Sequence, residues 1–142
     1  LPDLVPDAKL KLPKQAERTL GTGLTVIAIR RPGVPLAEMR LRVPFGRAPL
    51  PRATLLSQAL FTGTSDMSSI DIAAELQSVG GGLSAGLDPD RLLVTGNSLV
   101  AGLDRMLEIL AGILTDPTYP AEEVATERER LVDHIQVAQS QP

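Results

Sequence analysis

Residues 37–45, Ala37-Glu38-Met39-Arg40-Leu41-Arg42-Val43-Pro44-Phe45, place apolar side chains at Met39, Leu41, Val43 and Phe45, with Glu38, Arg40, Arg42 and Pro44 between them. A strict period of two is the signature of a β-strand with one buried face. Pro44 has no amide hydrogen to give to a ladder, so that end of the strand belongs at a sheet edge or a bulge. After Gly46 the period changes. In Ala53–Phe61 the residues Leu56, Ala59 and Leu60 share one helical stripe, and Gly63 supplies the stop.

Working outward, Gln15–Leu20 and Leu24–Arg31 flank Gly21-Thr22-Gly23, the pattern of a hairpin, and Pro32-Gly33 ends its second strand. Residues 1–14 carry Pro2, Pro6 and Pro13 and read as an extended arm. Asp66–Val79 reads as a second helix, with Ser68 and Asp71 as a capping box, Ile72, Leu76 and Val79 as its apolar face, and Gly80-Gly81-Gly82 as its end. Two short strands follow, Leu83–Leu87 and Arg91–Asn97, joined by Asp88-Pro89-Asp90. Val100, Leu103, Leu107, Leu110 and Leu114 mark a helix over Ser98–Leu114 that stops at Asp116-Pro117. Pro120, Glu122 and Glu123 open a last helix that runs to about Gln139, with Val124, Leu131 and Ile135 inward. This order predicts an α+β two-layer sandwich: a largely antiparallel sheet with helices on one face. The chain contains no internal repeat.

A length of 142 residues with 43% hydrophobic content suits one domain with a sizeable core. The net charge of -3 gives no basic field for a phosphate backbone, and two Phe with one Tyr leave few rings for base stacking, which excludes nucleic acid as a partner. Leu99–Leu114 is interrupted by Asp104, Arg105 and Glu108, so it does not read as a membrane span. Without cysteine there are no disulfides or thiolate metal sites. Leu1-Pro2-Asp3 lacks the features of a signal peptide, and the Ala-, Leu- and Arg-rich composition fits a bacterial origin, with cytoplasm and periplasm both open.

The order of elements and several local motifs resemble the insulinase, pitrilysin and mitochondrial processing peptidase family of zinc peptidases. Leu20-Gly21-Thr22-Gly23-Leu24-Thr25-Val26 is similar to the family's opening L-x-N-G-L-x-V hairpin, and Val43-Pro44-Phe45-Gly46 to the strand that leads into its active-site helix. Leu60-Phe61-Thr62-Gly63-Thr64 resembles L-F-x-G-T, and the run from Leu76 through Gly80-Gly81 to Ser84-Ala85 resembles L-E-x-x-G-G-x-x-N-A. Asp116-Pro117-Thr118-Tyr119, Glu122-Glu123 and Glu127-Arg128 through Ile135 are similar to N-P-x-F, E-E and E-R-x-x-V-x-x-E-I. The resemblance implies that residues 15–142 form the greater part of one amino-terminal domain. We expect a fragment of a longer chain, because family members carry two similar domains per half and enclose peptide between two halves.

The departures from the family pattern carry the functional expectation. The frame of His-x-x-Glu-His reads Thr54-Leu55-Leu56-Ser57-Gln58, so the two histidine positions fall on Thr54 and Gln58 and the water-activating glutamate on Ser57. Positions 54 and 58 share a helix face, but Thr and Gln are poor zinc ligands and Ser is no carboxylate base. The distal glutamate ligand falls within a residue of His134, the acidic residue two turns earlier is Glu127, and the asparagine that contacts substrate backbone is Ser84. We therefore expect no metal, no cofactor and no catalytic residue. The chain reads as a non-catalytic subunit or half that holds peptide for an active homologous partner; the alternative is a structural scaffold with no peptide-binding role.

Other candidates read as structural. His134 with Glu127 falls short of the three or four ligands of zinc sites, and Ser57 has no assigned base and acid to make it a nucleophile. Asp88 and Asp90 suit a turn, and Asp104 the solvent face of a helix. Gly80-Gly81-Gly82 follows a helix rather than a strand, so it is not a phosphate cradle. Arg128, Arg130, Glu127 and Glu129 form a solvated face.

Overall fold

The computed structural model describes residues 13–31, 33–44 and 48–140. Most of the expected arm, together with Pro32, Phe45 and Gly46, lies outside the described residues. The chain divides into two compact units, Leu1–Pro35 and Leu36–Pro142.

In the first unit, β1 (Gln15–Thr19) and β2 (Thr25–Ile29) form an antiparallel hairpin with Thr19 opposite Thr25. Its turn is closed by the Leu20 amide donating to the Leu24 carbonyl at 2.8 Å. The hairpin was expected from the glycines between two β-prone runs, although both strands stop short of the bounds read from the sequence.

The second unit contains β3 (Leu36–Pro44), α1 (Leu50–Ala59), α2 (Ser69–Ser78), β4 (Gly82–Asp88), β5 (Arg91–Leu99), a 3-10 turn at Val100–Gly102, α3 (Leu103–Thr115) and α4 (Ala121–Ser140). Its sheet is antiparallel with the order β3-β5-β4. β5 lies at the centre, pairing Leu99 with Leu36 and Arg91 with both Pro44 and Asp88. Pro44 thus ends an edge strand, where its missing donor costs little.

Alternation along the three strands sends Met39, Leu41, Leu83, Ala85, Leu92 and Val94 to one face. There they meet Ile72 and Leu76 of α2 and Met106, Ile109, Leu110 and Ile113 of α3 in a single core cluster. Met106, Ile113 and Val94 are fully buried. Each such side chain contributes about 1.5–3 kcal/mol by leaving water. The architecture is the α+β layering that the two hydrophobic periods predict. Among the described residues no helix is long and apolar enough to cross a membrane.

Several boundaries differ from the sequence reading. The helix expected over Ser98–Leu114 starts later, because Ser98 and Leu99 extend β5 and stay paired with β3. Its buried face differs in part: of the expected stripe Leu110 is buried and Leu103 packs against the core, while Leu107 and Leu114 remain about 40% exposed (41% and 39%), Val100 is exposed, and Met106, Ile109 and Ile113 take their place. Both stripes satisfy helical spacing, and contact with β5 selects one of them. α1 opens at Leu50 with Pro51 in its first turn, and it buries Ala53, Ser57 and Ala59 while Leu56 points out. Small side chains let this helix approach its neighbours closely. α2 begins only at Ser69, because Thr64 Oγ1 accepts from the Met67 amide and holds residues 64–67 in a turn. The Ser68–Asp71 capping box forms as expected. α4 buries no residue fully, and Ile135, expected inward, is exposed.

Two glycines are required by geometry. Gly80, at φ +62, turns the chain out of α2 into β4, and a Cβ on Gly102 would lie 2.5 Å from Val79 Cβ. That second contact lets the 3-10 turn press on the end of α2.

Candidate functional site

α1 lies against α4 on one side and β4 on another. Three segments singled out from the sequence are therefore neighbours: the helix carrying Thr54, Ser57 and Gln58, the helix carrying Glu127 and His134, and the strand carrying Ser84. The α1 and α4 segments are fastened to each other at one end by polar contacts. The Thr118 amide donates to the Gly63 carbonyl at 3.2 Å, Ser65 Oγ donates to the Asp116 carboxylate, and Ser69 Oγ donates to Glu123 Oε1 at 3.1 Å. These bonds tie the exit of α1 and the start of α2 to the chain that enters α4.

Within α1 the hydroxyl groups serve the helix itself. Thr54 Oγ1 donates to the Leu50 carbonyl at 2.9 Å, and Ser57 Oγ donates to the Thr54 carbonyl at 2.8 Å. Ser57 is 7% exposed, so its hydroxyl is both spent and shielded. Gln58 is exposed. The helix carries no His, Cys, Asp or Glu.

On α4, Glu127 pairs with Arg130 one turn later at 2.6 Å, and His134 is exposed. Among the described residues no hydrogen bond joins Thr54, Ser57 or Gln58 to Glu127 or His134, and no group of three or more His, Cys, Asp or Glu side chains is placed to hold a metal ion. Thr54 and Gln58 offer only neutral hydroxyl and amide atoms. This donor set does not fit zinc, which favours imidazole, thiolate and carboxylate.

Ser84 stands on β4, an edge strand of the three-stranded sheet among the described residues, and its Oγ lies 2.7 Å from Thr95 Oγ1 on β5. Both hydroxyls belong to the sheet face turned away from the core. An open groove of about 430 Å³ crosses that face between Glu38 and Arg40 of β3 and Gly82 and Ser84 of β4, over Thr95 and Asn97. The sequence reading did not assign this groove. The signal lay in the alternation of β3, which put Glu38, Arg40 and Arg42 together on the face opposite Met39 and Leu41.

A family model described as insulinase, peptidase family M16, matches residues 52–142, a span that begins in the first turn of α1 and includes α4. The chain belongs to this family. It is 28% identical over 140 residues to the mitochondrial-processing peptidase subunit alpha of Solanum tuberosum, covering 95% of this chain and 27% of that protein. A crystal structure described as a peptidase M16 inactive domain from Pseudomonas fluorescens superposes with a TM-score of 0.81 at 21% identity, covering 91% of this chain and 33% of that one. A protease from Helicobacter pylori superposes with a TM-score of 0.76 at 21% identity, over 87% and 31% of the two chains. The chain thus spans about a quarter of the length of the curated relative and about a third of each solved structure. These likenesses establish the M16 fold and agree with the distributed motifs from Leu20 to Ile135.

Proposed function

We propose that this chain is a non-catalytic member of the M16 family that helps an active homologous subunit or half to enclose and hold peptide. In this reading α1 occupies the place of the metal-binding helix. Thr54 and Gln58 stand at the two histidine positions, Ser57 at that of the general base, and His134 near the distal ligand. The observation that carries the proposal is the bonding of α1. The hydroxyls of Thr54 and Ser57 are turned back onto the carbonyls of Leu50 and Thr54, and no imidazole or carboxylate replaces them. No catalytic step is assigned to these residues.

Support also comes from the Pseudomonas fluorescens neighbour, whose description names an inactive domain, and from a relative that is one subunit of a processing peptidase. A chamber for peptide needs two walls, while only one needs a metal. β4 offers the holding surface: as an edge strand beside α1 it presents unpaired backbone donors and acceptors to an extended chain.

The test is reconstitution. A tagged form of the chain is mixed with a homologue from the same source that retains His-x-x-Glu-His, and peptide cleavage is followed. The proposal requires co-purification and a rise in cleavage over either protein alone; unchanged cleavage by the homologue would contradict it.

A scaffold role without peptide is favoured by a different feature, the exposed apolar residues Leu107 and Leu114 on α3 and Val132, Ile135 and Val137 on α4. Assembly with the homologue but no binding of any peptide by the pair would select this second reading.

A further inference from the structure

The sheet face turned away from the core carries cross-strand rows in register: Glu38, Asn97 and Gly82; Arg40, Thr95 and Ser84; Arg42, Leu93 and Gly86. Three arginines project from this face, and they differ in one respect. Arg91 is matched by Asp88 and Asp90, whereas among the described residues Arg40 and Arg42 enter no ion pair. Both are exposed.

Among the described residues the way to these cations from the edge strand β4 is open at Gly86. A Cβ added to Gly86, in the row of Arg42, would meet nothing within 4 Å, whereas Gly82 stands in the row of Glu38. Between the two glycines stands Ser84, bonded to Thr95. Two hydroxyls carry two hydrogens, and their mutual bond at 2.7 Å uses one, so one O–H remains for an incoming acceptor beside Arg40.

We infer that this outer face selects acidic peptide, with two carboxylates at alternate positions of an extended segment reaching over Ser84 and Gly86 toward Arg40 and Arg42. Alternate side chains of an extended chain lie on one face about 7 Å apart, the same spacing that separates Arg40 from Arg42 on β3. A carboxylate can take a forked pair of bonds from a guanidinium, and the spare hydroxyl hydrogen of the Ser84–Thr95 pair adds a third. Glu38 and Asp88 bound the patch at its two ends, so a pair of acids suits it better than a long acidic tract. The overall charge of -3 makes a cationic face of this kind a local feature rather than a property of the whole surface. The inference rests on the peptide-holding reading and names the class of peptide held.

The experiment is a fluorescence anisotropy titration of the full chain with three short labelled peptides that differ only at two alternate positions, Glu-x-Glu, Gln-x-Gln and Lys-x-Lys. The Glu-x-Glu peptide is expected to bind about tenfold more tightly than the Gln-x-Gln peptide at low salt, because two opposite-charge contacts are added and salt screens both. The Lys-x-Lys peptide is expected to bind weakest. In the Arg40→Gln, Arg42→Gln double variant, shown to be folded by circular dichroism, the preference disappears while affinity for Gln-x-Gln stays the same. Equal affinity for all three peptides, or a preference that survives the double substitution, overturns the acidic selection and leaves peptide holding intact. Failure of every peptide to bind overturns both.

Discussion

Ser57 Oγ donates to the carbonyl of Thr54, 2.8 Å away and one helical turn back, and the Ser57 side chain is buried as it does so. A serine in this state is a helix residue, with its proton committed to a backbone carbonyl and no hydrogen bond to a base among the described residues. Ser57→Ala is expected to change stability by no more than about 1 kcal/mol, since a local bond of this kind contributes little net energy. Chemical denaturation measures that change. A fluorophosphonate probe is expected to leave Ser57 unmodified, and stoichiometric labelling there would show an activated hydroxyl.

The two candidate stripes on α3 predict opposite mutational costs. Met106→Ala or Ile113→Ala empties a fully buried position and should cost about 2–5 kcal/mol. Leu107→Ala, on the exposed stripe, should cost less than about 1 kcal/mol. Thermal unfolding of the variants separates the faces, and equal losses would mean that Leu107 is covered in the folded protein.

Ser98 is fully buried on β5 and its Oγ has no hydrogen-bond partner among the described residues. A Cβ added to Gly81 would lie 3.0 Å from Ser98 Cβ, so the close approach at Ser98 requires a glycine there. Ser98→Ala should be neutral or stabilising by about 1 kcal/mol, because an unsatisfied hydroxyl is removed from the core. Ser98→Val should destabilise by adding volume at a fully buried position.

The cap of α2 gives the molecule a pH-sensitive contact. Bonds from the Ser68 side chain and then its backbone amide hold the Asp71 carboxyl below its ordinary range. A carboxyl whose folded pKa is depressed stabilises the fold above its unfolded value, and that contribution is lost as pH falls through the lower folded value. Melting temperature should therefore decline on acidification below the usual Asp range. In Asp71→Asn the part of the decline that belongs to this cap disappears, and an unchanged acid profile would remove Asp71 from the account.

The fold was largely legible because its two periods were clean. Met39, Leu41 and Val43 alternate without ambiguity, and the Ser68–Asp71 pair marks a helix start by its own chemistry. Legibility failed where local pattern allowed two answers. Around α3 the spacing of Val100, Leu103, Leu107, Leu110 and Leu114 is as regular as that of Met106, Ile109, Leu110 and Ile113; the two share Leu110, and only packing against the sheet decides between the rest. Ser98 and Leu99 could extend a strand or start a helix, and pairing with Ala37 and Leu36 makes them strand. The neighbourhood of α1, α4 and β4 came from the ordered motifs, whereas the groove between Arg40 and Ser84 needed the register of three strands that are distant in sequence.

We propose that this domain retains the M16 fold without the metal. The most direct measurement is zinc content per chain by elemental analysis, after purification without added metal and again after dialysis against micromolar zinc. The account predicts a value near zero in both cases, with Thr54, Ser57 and Gln58 unable to supply a ligand set. One zinc per chain retained through dialysis would contradict it.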